Sequence, residues 1–572
     1  MIFYDFEVFK YDWLVVLIDP SKKQVTEIVN DPEHLSRFYD SNKNDIWVGY
    51  NSTHYDQYIL KGILLGMDPK KINDWIIVKE KVGWKYSSLF RNITLNNYDV
   101  MNRTDRGLKF FEGCMGSMIK ESSVPFDIPR KLTESEIKET LKYCRHDVEE
   151  TMKVFLKKID DFNTVMYFIK HFNLPLTDIS LTKAQLAAKL LGANDKGHTF
   201  DDAFQFPILD CLELKKYKHV ADWYKNPQNH NYSKSQNGVI VHGVEHKFSW
   251  GGGHGAIPKF HAKGDFLIID VTAYYPSLQM LFKFGYRVMD HPENFEFIHG
   301  SNIKFKREGN KKARQPFKIL DNAISGQMKQ KSSKLYDPMG NNSICINGQL
   351  LLLDLVEHLE PYCKLIQNNT DGIILQLMNY ERDFDIIDAE VAKWEKRTGL
   401  KMDFESFLDA EIFQKDVNNY LLIDRENGAI KAKGAYVKKL SDLDYGDFPI
   451  VNKALNAYMV NGIPVERTIN DCDVLKEFQM VTKIGNKYEH LIHGGKELNE
   501  KCIRAFASKR STDGDLKKLS VRTGRYEKVT NSPDRCFLFN DAVNDVTCPD
   551  HLDKQFYIDM AKKRLNAFGV KI

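Results

Sequence analysis

Six carboxylates stand in two groups along the chain. The first group is Asp5 and Glu7 in FYDFEVF, Asp56 in GYNSTHYD and Asp147 in YCRHD; the second is Asp270 in LIIDVTAYYPSL and Asp371 in QNNTDGIIL. A pair of divalent ions held by such carboxylates drives in-line phosphoryl transfer by activating one oxygen and stabilising the leaving one. Two groups in one chain suggest chemistry that both makes and removes the same bond. On a strand, Asp5 and Glu7 are two residues apart and point to one face. On a helix, Tyr143 lies one turn before Asp147 and shares its face, where a hydroxyl is well placed to orient an attacking water. Singly, these are as readily surface charge and helix amphipathicity. Three in order, with Asn51 and the Tyr55–Asp56 pair between them, read as one site.

Asp270 closes the apolar run FLIID, and the tip of a buried strand is a rigid support for a metal. Tyr275 and Pro276 follow in the turn, where a ring can lie under a sugar. Asp371 sits between CKLIQ and GIILQL, with Thr370 and Gly372 making the bend of a hairpin. Taken alone, NTDG is a common structural turn. Between the two aspartates, Lys304 to Lys334 holds ten Lys or Arg against two acids. Arg314 and Lys318 fall one turn apart on a helix face, and Lys306 can approach from the same direction. A Mg²⁺-bridged triphosphate needs such cations. Asn322 and Gly326 continue that face with small groups that permit close approach by a base pair.

The elements that must position these residues follow from length and pattern. A chain of 572 residues exceeds a single core and should fold as two to four domains. With 42% hydrophobic and 12% aromatic residues it is globular, and a net charge of +3 means that any nucleic-acid surface is local. No uninterrupted apolar run is long enough to span a bilayer, and the chain starts directly in a strand-like IFYDFEVF, so a soluble, unexported, cytoplasmic protein is expected. Nine cysteines without CxxC pairing argue for reduced thiols and against structural zinc. The first ~165 residues alternate apolar strands with helical segments, an α/β pattern. PQNHNYSKSQNG reads as a loop or linker, and the glycines of FSWGGGHGAIPKF permit a tight turn, a hinge or close approach to a ligand. Beyond residue 440 the chain is polar and punctuated, as in a smaller terminal domain.

FYDFEVF, YNSTHYD and YCRHD resemble the three Exo motifs of the 3′–5′ proofreading exonucleases attached to DNA polymerases. DVTAYYPSL is similar to motif A (DxxSLYPS) of family B DNA polymerases, KILDNAISG to motif B (KxxxNSxYG) and QNNTDG to motif C (YxDTDS). WGGG, residues 250–253, resembles the YxGG segment; VNNY, with Tyr420, resembles KxY, and IKAKGAYVKK follows downstream. PMG at 338–340, with a helix to Tyr362, matches the run into motif C. The resemblance covers roughly residues 1–440 and is nearest to compact bacteriophage polymerases related to the protein-primed group.

The resemblance implies a multidomain α/β and α+β fold, with a ribonuclease-H-like 3′–5′ exonuclease domain and a right-hand polymerase of palm, fingers and thumb. It implies an exonuclease over 1–165, linker and first part of the palm over 166–265, palm with motif A over 266–295, fingers over 296–335, palm with motif C over 336–440 and thumb over 441–572. Asp5, Glu7, Asp56 and Asp147 would hold two Mg²⁺ or Mn²⁺ ions, Tyr143 would position the water and Asn51 would touch the frayed primer end. Asp270 and Asp371, with the Val271 carbonyl, would hold the second pair. Tyr275 would exclude ribonucleotides, Lys318, Arg314 and Lys306 would grip the triphosphate, and Asn322 and Gly326 would floor the nascent pair. Gly252, Gly253, Thr370 and Tyr420 would contact DNA. The partners implied are a DNA primer-template and dNTPs, with a helicase, clamp or single-strand-binding protein as candidate helpers, and the chain is expected as a monomer in a host cytoplasm.

Four positions depart from the family. Asn369 replaces the first Asp of motif C, Ser325 a Tyr of motif B, Ala273-Tyr274 the Ser-Leu of motif A, and Asn418 the Lys of KxY. Asn369 and Ser325 leave open an exonuclease with a degenerate polymerase half. Only ~48 residues separate Asp270 from Lys318 and 14 separate Gly326 from Gly340, too few for the two insertions of protein-primed relatives.

Overall fold

The computed structural model describes the chain except Thr104, Asp105, Ala435, residues 438–442, Tyr445, Gly446 and Ile572, and the side chain of Arg103. Part of the IKAKGAYVKK run (Ala435, Lys438 and Lys439) therefore lies outside the described residues. Two compact units form. One holds Met1–Thr182, Ser441–Pro449 and Asp473–Asp553; the other holds Lys183–Leu440, Ile450–Cys472 and Lys554–Ile572. The terminal stretch 441–572, expected as one domain, is thus shared between the two.

In the first unit, strands β1 (Ile2–Val8), β2 (Trp13–Asp19), β3 (Gln24–Val29), β4 (Ile46–Gly49) and β5 (Asn96–Asp99) make a sheet of order β3-β2-β1-β4-β5. β1 pairs antiparallel with β2 and parallel with β4, and β4 pairs parallel with β5. The apolar runs of β1 and β2 make this sheet the core, with Val15, Tyr4 and Trp47 fully buried. A long helix, Glu134–Lys157, packs on β1 and β2; Thr133 and Glu136 form a reciprocal cap at its start, which fixes where the helix begins. Residues 473–553 add two small antiparallel sheets. Strand Met480–Lys483 packs on helix Leu108–Met115, where Val481 faces Gly113. Arg504, fully buried, donates to Gln479 Oε1 (2.8 Å) and to the carbonyls of Gly113 (3.1 Å), Ser117 (2.9 Å) and Asp541 (2.8 Å).

The second unit is built on nine antiparallel strands in the order β14-β13-β12-β9-β11-β10-β8-β7-β6. They are β6 (Ser235–Val241), β7 (Val244–Ser249), β8 (Gly252–Ala256), β9 (Phe260–Val271), β10 (Lys364–Asn368), β11 (Gly372–Leu377), β12 (Met402–Asp416), β13 (Asn419–Asp424) and β14 (Ile430–Lys433). Of the WGGG glycines, expected as a tight turn, a hinge or a close approach to a ligand, Gly251 makes the tight turn from β7 into β8 with Trp250, while Gly252 and Gly253 enter β8 opposite Ser249 and Phe248 of β7. The PQNHNYSKSQNG segment likewise gives its last residues to β6. Helix Pro338–Leu359 is buried along almost its whole length. Its polar residues are partnered: Asp354 takes both terminal nitrogens of Arg397 (2.8 and 2.9 Å), and Asn347 bonds the main chain of Pro207 and Leu209. Helices Pro292–Arg307 and Lys311–Gln327 form a hairpin against helix Tyr274–Phe282.

Candidate active sites

In the first unit Asp5 and Glu7 leave the same face of β1, as their spacing predicts. Their carboxylates and Cys144 Sγ lie within 4.8 Å of one another. Asp56 opens helix Asp56–Leu64 and accepts from Phe6 N, between the two, at 3.0 Å. The loop that delivers Asp56 is tied to β5: Asp99 accepts from the backbone of Asn51 and Thr53, each at 2.9 Å, and Asn97 takes the Ser52 hydroxyl at 3.1 Å. Asn51 has a left-handed φ of 61°, a conformation Asn tolerates better than most residues.

Asp147 is drawn to different neighbours. Lys109 donates to it at 2.8 Å and lies 3.1 Å from Glu112, and the ligand atoms of Glu112, His146 and Asp147 fall within 4.8 Å of one another. Tyr143, one turn earlier, has Lys109 over its ring and donates to Glu121 at 3.1 Å. Burial, then Asp56, Glu7 and Asp147, push the Asp5 carboxyl well above the usual range. Glu7 rises by burial, Asp147 and Asp56. Burial takes Asp56 up to about 7 and, with Asp147, Glu112 up to about 8. Burial pulls Lys109 down, but Asp147 and Glu112 outweigh it and hold the ammonium charged. A buried set of acids that repel one another, with one lysine against them, fits divalent cations as the missing counter-charge.

In the second unit Asp270, near the end of β9, pairs in register with Gly372 on one side and Asp403 on the other. Asp371 lies in the β10–β11 hairpin, where Asn369 N bonds Gly372 O at 2.8 Å and Asp371 O accepts from Val271 N at 2.8 Å. Glycine is required after Asp371, because a Cβ at residue 372 would fall 1.9 Å from Asp270 Oδ1. Burial, then Asp371, raise Asp270 to about 6, with Glu405 and Asp403 adding and Lys431 opposing. The donor set is all oxygen, which suits a hard divalent ion. Tyr420, on β13, is buried with its hydroxyl raised by burial and by Asp270 and Asp371.

Tyr275 stands in the first turn of helix Tyr274–Phe282, not in the preceding turn, because Ala273 takes the left-handed bend (φ 44°) and starts the helix one residue earlier. Its ring lies against Gly348 of the buried helix. Lys318, Asn322 and Gly326 make an exposed stripe on helix Lys311–Gln327, with half-buried Arg314 at its head. Lys306 belongs to the neighbouring helix and is ion-paired with Asp403, beside Thr272. Gly252 faces Thr370, whose hydroxyl would be 3.6 Å from an added Cβ.

Lys109, Glu112, Asp99, Asp403 and Glu405 went unpredicted. Lys109 and Glu112 carry an i,i+3 signal, but their partner Asp147 is 38 residues from Lys109. Asp403 becomes visible only once β12 is laid against β9.

No family model matches the chain, and no curated protein matches it. Among solved structures it is similar to the family B DNA polymerase from the hyperthermophilic archaeon Pyrobaculum calidifontis, at 13% identity and a TM-score of 0.43, over 100% of this chain and 78% of that one.

Proposed function

We propose that the chain is a template-directed DNA polymerase of family B with a 3′–5′ proofreading exonuclease, of the bacteriophage kind that lacks the two protein-priming insertions. The observation that carries this reading is that each unit brings mutually repelling carboxylates together from separate elements, in the order of the Exo and polymerase motifs. The mixed sheet with acids on its central strand supports a ribonuclease-H-like first unit, and the antiparallel sheet with its helical hairpin supports a palm and fingers.

Asp5, Glu7, Asp56 and Asp147 would hold one pair of Mg²⁺ or Mn²⁺ ions, and Asp270, Asp371 and the Val271 carbonyl the other. When bound, such ions lower the cost of charge on the attacking and leaving oxygens. Tyr143 orients the water in the first site, and Asn51 meets the primer end. In the second, Arg314, Lys318 and Lys306 bind the triphosphate, with Lys306 exchanging its Asp403 partner for a phosphate oxygen. Tyr275 fills the place of a 2′-hydroxyl, Asn322 and Gly326 lie under the base pair, and Gly252, Gly253, Thr370 and Tyr420 line the DNA. The substrates are an ordinary primer-template and dNTPs; a monomer in a host cytoplasm, helped by a helicase, clamp or single-strand-binding protein, is the working context.

Primer extension with all four dNTPs, beside Mg²⁺-dependent degradation of single-stranded DNA, tests this directly. Degradation without extension would replace it by an exonuclease with a degenerate polymerase half, the reading that Asn369 favours. Loss of neither activity in the Asp5→Ala/Glu7→Ala and Asp270→Asn variants would overturn both.

A further inference from the structure

A line of hydrogen bonds crosses the helical hairpin of the second unit. Arg314 Nε donates to Asn302 Oδ1 at 2.8 Å, and Asn302 Nδ2 donates to Asp321 Oδ2 at 2.7 Å. The same Asp321 oxygen lies 2.9 Å from His299 Nδ1, and His299 Nε2 lies 3.3 Å from Ser277 Oγ. Ser277 in turn donates to the carbonyl of Thr272, two residues past Asp270, at 2.9 Å. His299, Asn302 and Asp321 are each at most 1% exposed. The line skirts a cavity of about 410 Å³ lined by Ser277, His299, Lys306 and Asp403.

The order Ser277, His299, Asp321 is that of a nucleophilic triad, but the proton inventory excludes that role. Ser277 has one proton and gives it to Thr272, so His299 must donate to Ser277 rather than accept from it. His299 Nδ1 faces Asp321 on the other side of the ring. A buried histidine held between an aspartate and a serine is a structural tie, and Asp321 Oδ1 has no hydrogen-bond partner among the described residues.

We infer that His299 is a positioning residue for nucleotide binding, acting through Asn302 and Asp321 on Arg314 and through Ser277 on the backbone beside Asp270. This rests on the polymerase reading. Anchoring Nε inward commits Arg314 to present its two terminal nitrogens outward as a fork for phosphate oxygens. The other end of the line registers that fork to the strand that carries Asp270, so triphosphate and metal ligand keep one spacing.

The test is steady-state incorporation of single dNTPs by the full chain, with exonuclease activity as a folding control. His299→Phe should raise KM for dNTP about tenfold, the worth of one charge-assisted hydrogen bond, and change kcat far less. His299→Gln, which keeps a donor, should recover part of the loss, and Ser277→Ala should act in the same direction. In an Arg314→Ala background the His299→Phe effect should vanish, because the two act on one contact. An unchanged KM in His299→Phe and Ser277→Ala, or losses that multiply independently of Arg314, would overturn the inference alone. A wild-type chain that neither incorporates dNTPs nor binds a fluorescent dNTP would overturn the polymerase reading and this inference with it.

Discussion

The two carboxylate sites solve one electrostatic problem differently. In the first unit the acids come from a strand, a loop-helix junction and a long helix, lie mostly buried, and have Lys109 against Asp147. In the second, Asp270 stands on β9 and Asp371 in the β10–β11 turn beside it, Asp371 is exposed, and the cations Lys306 and Lys431 are paired to Asp403 and Glu405 instead. The first site is a closed cluster with an internal counter-charge; the second is an open edge whose neighbouring cations are paired to other acids. Removing a charge should therefore be felt in the second site as lost activity, and restoring one in the first as gained stability.

The largest effect that would sharpen this contrast is Asp371→Asn. It should lower dNTP incorporation by about 10³-fold or more, the worth of several kcal/mol at a two-metal site, while leaving single-strand degradation unchanged. Equal loss of both activities would break the division into two sites. Next is Gly372→Ala. Its Cβ would collide with Asp270 Oδ1, and a displacement of that size should cost about 10²-fold in incorporation, read in the same assay.

Stability against pH tests the closed cluster. Asp56, raised to about 7, favours its neutral form in the fold, so its contribution is complete below the ordinary carboxylate range and is lost as pH rises through 7. The metal-stripped protein should melt at a falling temperature from about pH 5 to about pH 8, and Mg²⁺ should cancel that fall. Calorimetry with and without EDTA decides it; a melting temperature that rises over this interval in EDTA would contradict the cluster. The smallest effect is Asn369→Ala, under about tenfold in incorporation, because a neutral amide contributes no more than one ordinary hydrogen bond. If it matched Asp371→Asn, the open edge would have its charge ranked wrongly.

What could be read before folding was local. The period of two placed Asp5 and Glu7 together, the i,i+4 step placed Tyr143 on the face of Asp147, and NTDG between apolar runs announced the β10–β11 hairpin. Long-range pairings were invisible: Lys109 with Asp147, Lys306 with Asp403, and Asp403 beside Asp270 all depend on which elements lie together. WGGG announced the β7–β8 turn at Gly251 but not that Gly252 and Gly253 start a strand. Glycine has little strand preference of its own, and Gly252 and Gly253 are held as strand by their ladder to β7. The polar terminal stretch carried no periodicity to show that it divides.

That division has a consequence for synthesis. Arg504 and the strands around it complete the first unit by bonding to Gly113 and Ser117, roughly 390 residues upstream. Helix Leu108–Met115 therefore emerges from the ribosome roughly 370 residues before strand Met480–Lys483, an interval of about 20–70 s at usual translation rates. During that interval helix Leu108–Met115 lacks the strand that covers it, and the chain depends on the sheet alone, or on a chaperone, to keep that surface from sticking elsewhere.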